Sequence, residues 1–294
     1  MAGEMEGRVC VVTGATAGIG QATAAALAAM GATVVLVARN ADKARATREE
    51  IVRSAGHARV ETVIADLAIQ AQVRAAATEI RARHPAIHVL VNNAAIYTKK
   101  RQETADGMEM QLAVNHLAPF LLTHLLLDAL RAGAPARVVT VSSEAHHHAS
   151  FSSNDIQMRR KYGALRAYSN AKLFNILFTR ELARRVPAAE VTANAMHPGV
   201  VGTALLFGGW APLRLLKPFI RTAEEGARTA IYLASSPDVA GITGEYFKDE
   251  KPKHPSRAAQ DDESARRLWT ISSELTGLPT SALQSSTVHH GLSS

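Results

Sequence analysis

Tyr168 and Lys172 stand four residues apart inside an amphipathic stretch, a spacing that places both on one face of a helix. A free phenol has a pKa of about 10, too high for efficient proton exchange near neutrality, and a neighbouring ammonium lowers it by favouring the phenolate. A tyrosine so placed can act as general acid toward a carbonyl oxygen and as general base toward an alcohol. An isolated Tyr-x-x-x-Lys match would be an ordinary exposed helix pair, so the pair needs partners. A second chemistry is offered by Thr13-Gly14-Ala15-Thr16-Ala17-Gly18-Ile19-Gly20, which follows an apolar run and precedes an alanine-rich one. Gly14 permits a tight turn, Gly18 lets backbone N–H groups approach a pyrophosphate, and Gly20 lets a helix pack close to a strand. The phosphates would then rest at a helix N-terminus. Farther on comes Val37-Ala38-Arg39-Asn40, where an acid would bond the ribose 2′-hydroxyl of NAD. No acid is present, and the planar fork of Arg39 suits a 2′-phosphate, which favours NADP(H) over NAD(H).

These residues need strands that end where they stand. Short β-branched runs alternate with longer amphipathic segments, and the pattern predicts strands over Arg8–Thr13, Thr33–Ala38, Val60–Ala65, Ile87–Val91, Arg137–Ser142, Val191–Met196 and, more weakly, Glu245–Phe247. The interior runs are apolar on both faces, as strands sandwiched between helices must be. The expected fold is therefore α/β, a single-domain Rossmann-type doubly wound parallel sheet of about seven strands. No linker interrupts the alternation before about residue 250. After it, Asp261-Asp262-Glu263 can cap a last helix that stops near Gly277. The domain is expected to span residues 1–278, with 279–294 a tail whose Ser/Thr-rich composition offers little to bury.

Composition excludes other classes. The chain has 294 residues, 47% hydrophobic and 20% charged, which is ordinary globular usage. One cysteine, Cys10, forbids an intramolecular disulfide and points to a reducing compartment, taken as the cytoplasm. No signal peptide is expected, because Met1 to Gly7 carries two glutamates. The apolar stretch Leu112 to Leu130 contains Asn115, His116, Pro119, His124 and Asp128, which would be costly in hydrocarbon, so it is read as a buried helix and not as a membrane span. A net charge of +7 raises nucleic acid as a partner, but the basic doublets are scattered and lack interleaved aromatics, so solvated helix faces are expected instead.

The ordered set Asn92-Asn93-Ala94-Ala95, Asn115, Ser142-Ser143, Tyr168-Ser169-Asn170-Ala171-Lys172 and Pro198-Gly199, added to the glycine turn, resembles the short-chain dehydrogenase/reductase superfamily over roughly residues 8 to 278. Val141 to His147, Leu173 to Leu182, His197 to Val201 and Arg267-Leu268-Trp269 resemble its retinol dehydrogenase and WW-domain oxidoreductase branch. The resemblance implies a catalytic set of Asn115, Ser143, Tyr168 and Lys172. Ser143 would bond the substrate oxygen, Lys172 would also hold the nicotinamide ribose, and Asn115 would kink its helix to seat a water. The implied cofactor contacts are Gly14, Thr16, Gly18, Ile19, Gly20, Arg39, Asp66, Leu67, Asn93, Ala94, Tyr168, Lys172, Pro198, Gly199, Val201 and Thr203. Asp66 would bond the adenine amino group; read without the family it is a helix N-cap. Two departures stand out: Ala94-Ala95 replaces the common Ala-Gly, and Phe151 to Arg166 lengthens the stretch between Ser143 and Tyr168.

Two further features invite functional readings. His146-His147-His148 are adjacent, which is poor geometry for one metal, and no metal is expected. The apolar, glycine-bearing segment Leu205 to Ile220 sits where the family carries a substrate lid, here 202–222, with peripheral membrane contact or a subunit interface in a homo-oligomer as the rival readings. The expected function is NADP(H)-dependent interconversion of a lipophilic aldehyde or ketone and its alcohol by hydride transfer. The alternative is a non-catalytic NADPH-binding regulator or scaffold. A sugar-nucleotide epimerase or dehydratase would need a larger C-terminal region than the polar segment after residue 248 supplies.

Overall fold

Alternation of side chains along each strand divides the core into two halves. In the computed structural model, which describes residues 3–201 and 221–279, Val11, Val35 and Val37 enter one apolar cluster, whereas Cys10, Val12, Val34 and Leu36 enter the other. Period-two side chains with both faces apolar require a helix layer on each side, and both layers are present. The strands are β1 (Val9–Thr13), β2 (Thr33–Ala38), β3 (Val60–Ile64), β4 (Val89–Asn92), β5 (Ala136–Val141), β6 (Val191–His197), β7 (Tyr246–Lys248) and β8 (Lys251–Pro252). They form one sheet in the order β3-β2-β1-β4-β5-β6-β7-β8. The first seven are parallel and β8 is antiparallel to β7.

One side of the sheet carries α1 (Gly18–Ala29), α2 (Ala41–Ala55) and, farther along the chain, Ala223–Ser235. The other side carries α3 (Gln70–Arg83), α4 (Met110–Ala132), α5 (Ala164–Arg185), and the late helix Asp262–Thr276. We number the two late helices α6 (Ala223–Ser235) and α7 (Asp262–Thr276). Their ends follow from local chemistry. The Asn40 side chain accepts from Lys43 N–H at 2.9 Å at the start of α2, Thr222 and Glu225 close a capping box on α6, and Asp261 accepts from Ser264 N–H at 3.1 Å on α7. Gly277 ends α7 with φ +62, as the last-helix reading expects.

α4 is long and apolar enough to cross a membrane by length and composition, but 83% of its most apolar window is buried inside the fold. Phe120, Leu121, Leu126 and Leu130 are fully enclosed in the core, which makes it a core helix, as its polar residues imply. The expected fold class holds, and two details add to it. The sheet has an eighth strand, reached through a hairpin whose central residues Asp249 and Glu250 have φ +54 and +62. Such a two-residue strand is too short for periodicity to reveal, and Pro252 is tolerated there because it lies at the sheet edge. The fourth strand runs from Val89 to Asn92, two residues later than Ile87, because pairing with β1 begins at Cys10 opposite Val89.

Candidate active site

Parallel strands put all their carboxyl ends on one edge, so the residues singled out by type arrive there together. Strand order reverses between β1 and β4, and the crevice at such a switch point is where doubly wound sheets take ligands. The glycine turn leaves β1 on one wall of the crevice. Gly14 has φ +65, and a Cβ at Gly20 would lie 2.3 Å from the Gly14 carbonyl oxygen and 2.4 Å from Asn93 Nδ2. Only glycine lets α1 approach that closely. Gly18 also has a positive φ, +54. Ala17 at the N-cap supplies no side-chain hydrogen bond, and the first turn of α1 has no acidic residue, so its N–H groups are suited to an anion. Thr16 and Ile19 are half-buried in the same turn.

Asn93 and Ala94 lock this turn to β4. Asn93 Nδ2 donates to the Thr13 and Gly14 carbonyls at 2.8 and 3.3 Å, while the Thr13 hydroxyl accepts from Asn93 and Ala94 N–H at 3.0 and 3.1 Å. Thr13 is thus a site residue that sequence reading passed over, although its place at the end of β1 marks it. Arg39 follows β2 with its side chain exposed. Asp66 follows β3, and its carboxylate accepts from Ala68 N–H at 2.9 Å. This is a turn bond and not the helix N-cap of the family-free reading, because Ile69 holds the N-cap position of α3. Leu67 packs against the core from the same turn.

The opposite wall comes from β5, α4 and α5. Asn115 lies fully buried in a wide turn, Ala113–Leu117, where Ala118 N–H reaches the Ala113 carbonyl five residues back. Its carboxamide accepts from Ile96 N–H at 2.8 Å and donates to the Ile96 carbonyl at 2.9 Å. This two-bond grip fastens the wide turn to the loop after β4. Lys172 is 1% exposed. Its Nζ donates to the Val141 carbonyl at 2.9 Å, which also accepts from Asn175 Nδ2 at 3.2 Å, and Ser142 Oγ donates to the Lys172 carbonyl at 2.7 Å. Asn175, three residues past Lys172 on the same face, was legible in that spacing but not singled out. Nζ stands 5.6 Å from the Tyr168 ring centroid, and Tyr97 meets that ring edge-on at 6.0 Å.

The electrostatics correct one expectation. Enclosure by neighbouring atoms pushes the Tyr168 phenol up to about 12, against a smaller lowering from the Ser143 hydroxyl. Burial likewise draws Lys172 down to about 8. Desolvation is the largest influence on both groups, and it opposes the lowering of Tyr168 that the spacing from Lys172 implies. Tyr168 is therefore protonated at neutral pH.

Ser143 begins a short 3₁₀ turn, Glu144–His148, and its Oγ accepts from Ala145 N–H at 3.2 Å. Pro198 and Gly199 follow β6, with Gly199 at φ +85 against the Arg221 side chain. Val201 is buried, and a Cβ on Gly226 of α6 would lie 2.5 Å from it. Thr203 and residues 202–220 of the expected lid lie outside the described residues. The long stretch before Tyr168 ends at Gly163, since α5 starts at Ala164, two residues before Arg166. Among the described residues, no group of three or more His, Cys, Asp or Glu side chains is arranged for a metal. Burial raises the Cys10 thiol to about 12, which leaves it inert.

The profile of the short chain dehydrogenase family matches residues 8–208. Human retinol dehydrogenase 14 is 42% identical, with 94% of this chain and 88% of that protein covered, and human retinol dehydrogenase 12 is 41% identical at the same coverage. Among solved structures, an uncharacterized protein from Mycobacterium Paratuberculosis superposes with a TM-score of 0.76 at 33% identity, covering 94% of this chain and 95% of its own. A candidate NAD(P) dependent gluconate 5-dehydrogenase from Beutenbergia cavernae, with NADP bound at low occupancy, gives 0.67 at 29% identity, covering 82% and 94%. With the crevice, the glycine turn and the Tyr168–Lys172 face in place, these matches establish that the chain belongs to the short-chain dehydrogenase/reductase family, in its retinol dehydrogenase-like branch, and is an oxidoreductase of alcohol and carbonyl groups.

Proposed function

We propose that the protein interconverts a lipophilic aldehyde or ketone and its alcohol, with NADP(H) as the cofactor and Tyr168 as the general acid/base. The observation that carries this reading is the convergence of Tyr168, Lys172, Ser143 and the Asn115 turn on one wall of the crevice whose other wall is the glycine turn. The cofactor, when bound, supplies or accepts the hydride at nicotinamide C4. Gly14, Thr16, Gly18, Ile19 and Gly20 form the phosphate cradle. Arg39 addresses the 2′-phosphate, and Asp66, Leu67, Asn93 and Ala94 line the adenosine side. Pro198, Gly199 and Val201 would flank the nicotinamide side, and the family resemblance adds Thr203 to them. Lys172 spends one donor on the Val141 carbonyl and turns the rest toward the ribose. Ser143 would hydrogen-bond the substrate oxygen through its hydroxyl, and Tyr168 would transfer the single proton that, with the hydride, completes the alcohol. A phenol held protonated at neutral pH suits carbonyl reduction. A water seated at the wide Asn115 turn replenishes that proton.

The retinol dehydrogenases among the relatives favour a lipophilic substrate, and the apolar composition of Leu205 to Ile220 agrees with a lid over it. A cytoplasmic location rests on cysteine usage. The test is NADPH oxidation across retinals, steroid ketones, quinones and aliphatic aldehydes, with the parent and Tyr168→Phe. Turnover of apolar carbonyls is expected, with a drop of about 10²–10⁴-fold in the variant at unchanged NADPH affinity. Tight NADPH binding without turnover of any carbonyl would transfer the assignment to a nucleotide-binding regulator.

A further inference from the structure

The last ladder bond between β5 and β6 at this edge is Ser142 N–H to the Met196 carbonyl, at 2.7 Å. One residue later the sheet no longer dictates the backbone, yet Ser143 must present its hydroxyl in one direction. Two buried imidazoles take over where the sheet stops. The Ser143 carbonyl contacts His146 Nδ1 at 2.6 Å, and Glu144 N–H donates to His197 Nδ1 at 3.3 Å. Both bonds fall on the same peptide unit, one at its oxygen and one at its hydrogen. Ser256 N–H donates to His146 Nε2 at 3.0 Å, which assigns the His146 proton to Nδ1 and makes that nitrogen the donor to Ser143. His146 and His197 are 0% and 6% exposed.

We infer that His146 and His197 are positioning residues that clamp the Ser143–Glu144 peptide unit from its two ends and thereby aim the Ser143 hydroxyl at the substrate oxygen. This rests on the reading that Ser143 holds that oxygen. With Oγ already accepting from Ala145 N–H, a fixed peptide plane leaves the hydroxyl proton free to point into the crevice.

The clamp works only while both rings are neutral, because a protonated His197 Nδ1 or His146 Nε2 would set a donor against a backbone N–H. Burial favours the neutral rings, holding His197 at about 4 and lowering His146 from its ordinary value. The groups facing His197 are Glu144, Lys248, Arg221 and Asp249. Those facing His146 are Glu144, the His147 ring at 4.1 Å between centroids, and Tyr246 edge-on at 5.0 Å. The Glu144 carboxylate is itself engaged by Tyr246 Oη at 2.9 Å and Lys248 Nζ at 3.2 Å, so its charge is largely committed.

Asparagine carries a polar atom where histidine carries Nδ1. In His197→Asn the carboxamide oxygen can still accept from Glu144, and in His146→Asn the amide can still donate to Ser143; neither side chain titrates. The experiment compares both Asn variants, both Ala variants, the Asn double variant and Ser143→Ala for carbonyl-reduction kcat and KM and for NADPH Kd by fluorescence. The pH dependence of kcat is measured from 8 downward. The Ala variants are expected to lose kcat roughly 10- to 100-fold, as misplacement of a reacting group does. NADPH Kd should stay within about twofold, and the Asn variants should recover most of the loss. In the parent, kcat should hold through the free imidazole value of 6.5 and fall only as pH nears about 4, where the buried His197 ring protonates, and in the Asn double variant this limb should flatten. The inference is overturned by Ala variants with parental kcat, by equal losses in Ala and Asn variants, or by Kd rising in step with the fall in kcat. If Ser143→Ala retains parental activity, the assigned role of Ser143 fails. If Ser143→Ala is inactive while the Ala variants at 146 and 197 are normal, only the clamp fails.

Discussion

Gly20→Ala turns the geometry of the glycine turn into a measurable cost. Its Cβ would sit 2.3 Å from the Gly14 carbonyl oxygen and 2.4 Å from Asn93 Nδ2, where ordinary contact begins at 3.4 Å, so the gap must open by about 1 Å. Neither neighbour is a loose side-chain tip. The Gly14 backbone is tied to β2 through its N–H and the Val37 carbonyl at 3.0 Å, and Asn93 Nδ2 is held by the Thr13 and Gly14 carbonyls. Overpacking of this kind costs about 1–3 kcal/mol, and a disrupted buried amide adds about 1–3 kcal/mol. At ~2–4 °C per kcal/mol, the melting temperature should fall by roughly 5–20 °C. On the proposed reading the displaced turn also withdraws N–H groups from the cofactor phosphates. A single charge-assisted bond is worth about 1.5–3 kcal/mol, so NADPH Kd should rise about tenfold or more. The control is Gly56→Ala, at the end of α2, where φ is +73 but no atom lies within 4 Å of the added Cβ. Left-handed strain there costs about 1–2 kcal/mol of stability with no change in Kd. Thermal melts and fluorescence titration decide the matter. A Gly20→Ala protein with parental melting temperature and Kd, or a Gly56→Ala protein with an equally weakened Kd, would refute the steric argument.

On the proposed reading cofactor choice rests on Arg39, which is exposed after β2 with alanine in place of an acid before it. Arg39→Asp should reverse a preference for NADPH over NADH of about tenfold or more, and equal Kd values in the parent would remove the assignment. Acid stability follows from buried neutral histidines: burial lowers His116 to about 3 and His124 and His197 to about 4, from 6.5. The unfolded chain binds more protons below 6.5, so their stabilisation is complete above that pH and is lost as pH falls toward the folded values. At about 1.4 kcal/mol per unit, the three together should depress the melting temperature well before pH 4, and a melting temperature flat between about pH 7 and pH 5 contradicts it.

Much of this protein is written locally. Two-sided apolar strands such as Cys10 to Val12 and Val34 to Val37 demand two helix layers, and parallel strands bring all carboxyl ends to one edge. The turn at Gly14 to Gly20, the Asn40 and Asp261 caps, and the common face of Tyr168 and Lys172 depend on neighbours a few residues away. Periodicity, backbone sterics and helix geometry are short-range physics, so residue order alone determines them.

Other features need partners distant in sequence. The Asn115 grip on Ile96, the Thr13 bonds to Asn93 and Ala94, and the contact of Ser256 with His146 across 110 residues exist only after the elements pack. The hairpin that adds β8 is a backbone event of two residues, and Asp66 is occupied by a turn bond that its type left open. Charge state depends on packing most of all. Spacing places an ammonium near a phenol and so implies a lowered Tyr168, but the sign is decided by how much water the finished fold removes from both groups. Desolvation is a property of the surrounding volume, filled by residues from the whole chain, and no local pattern encodes it.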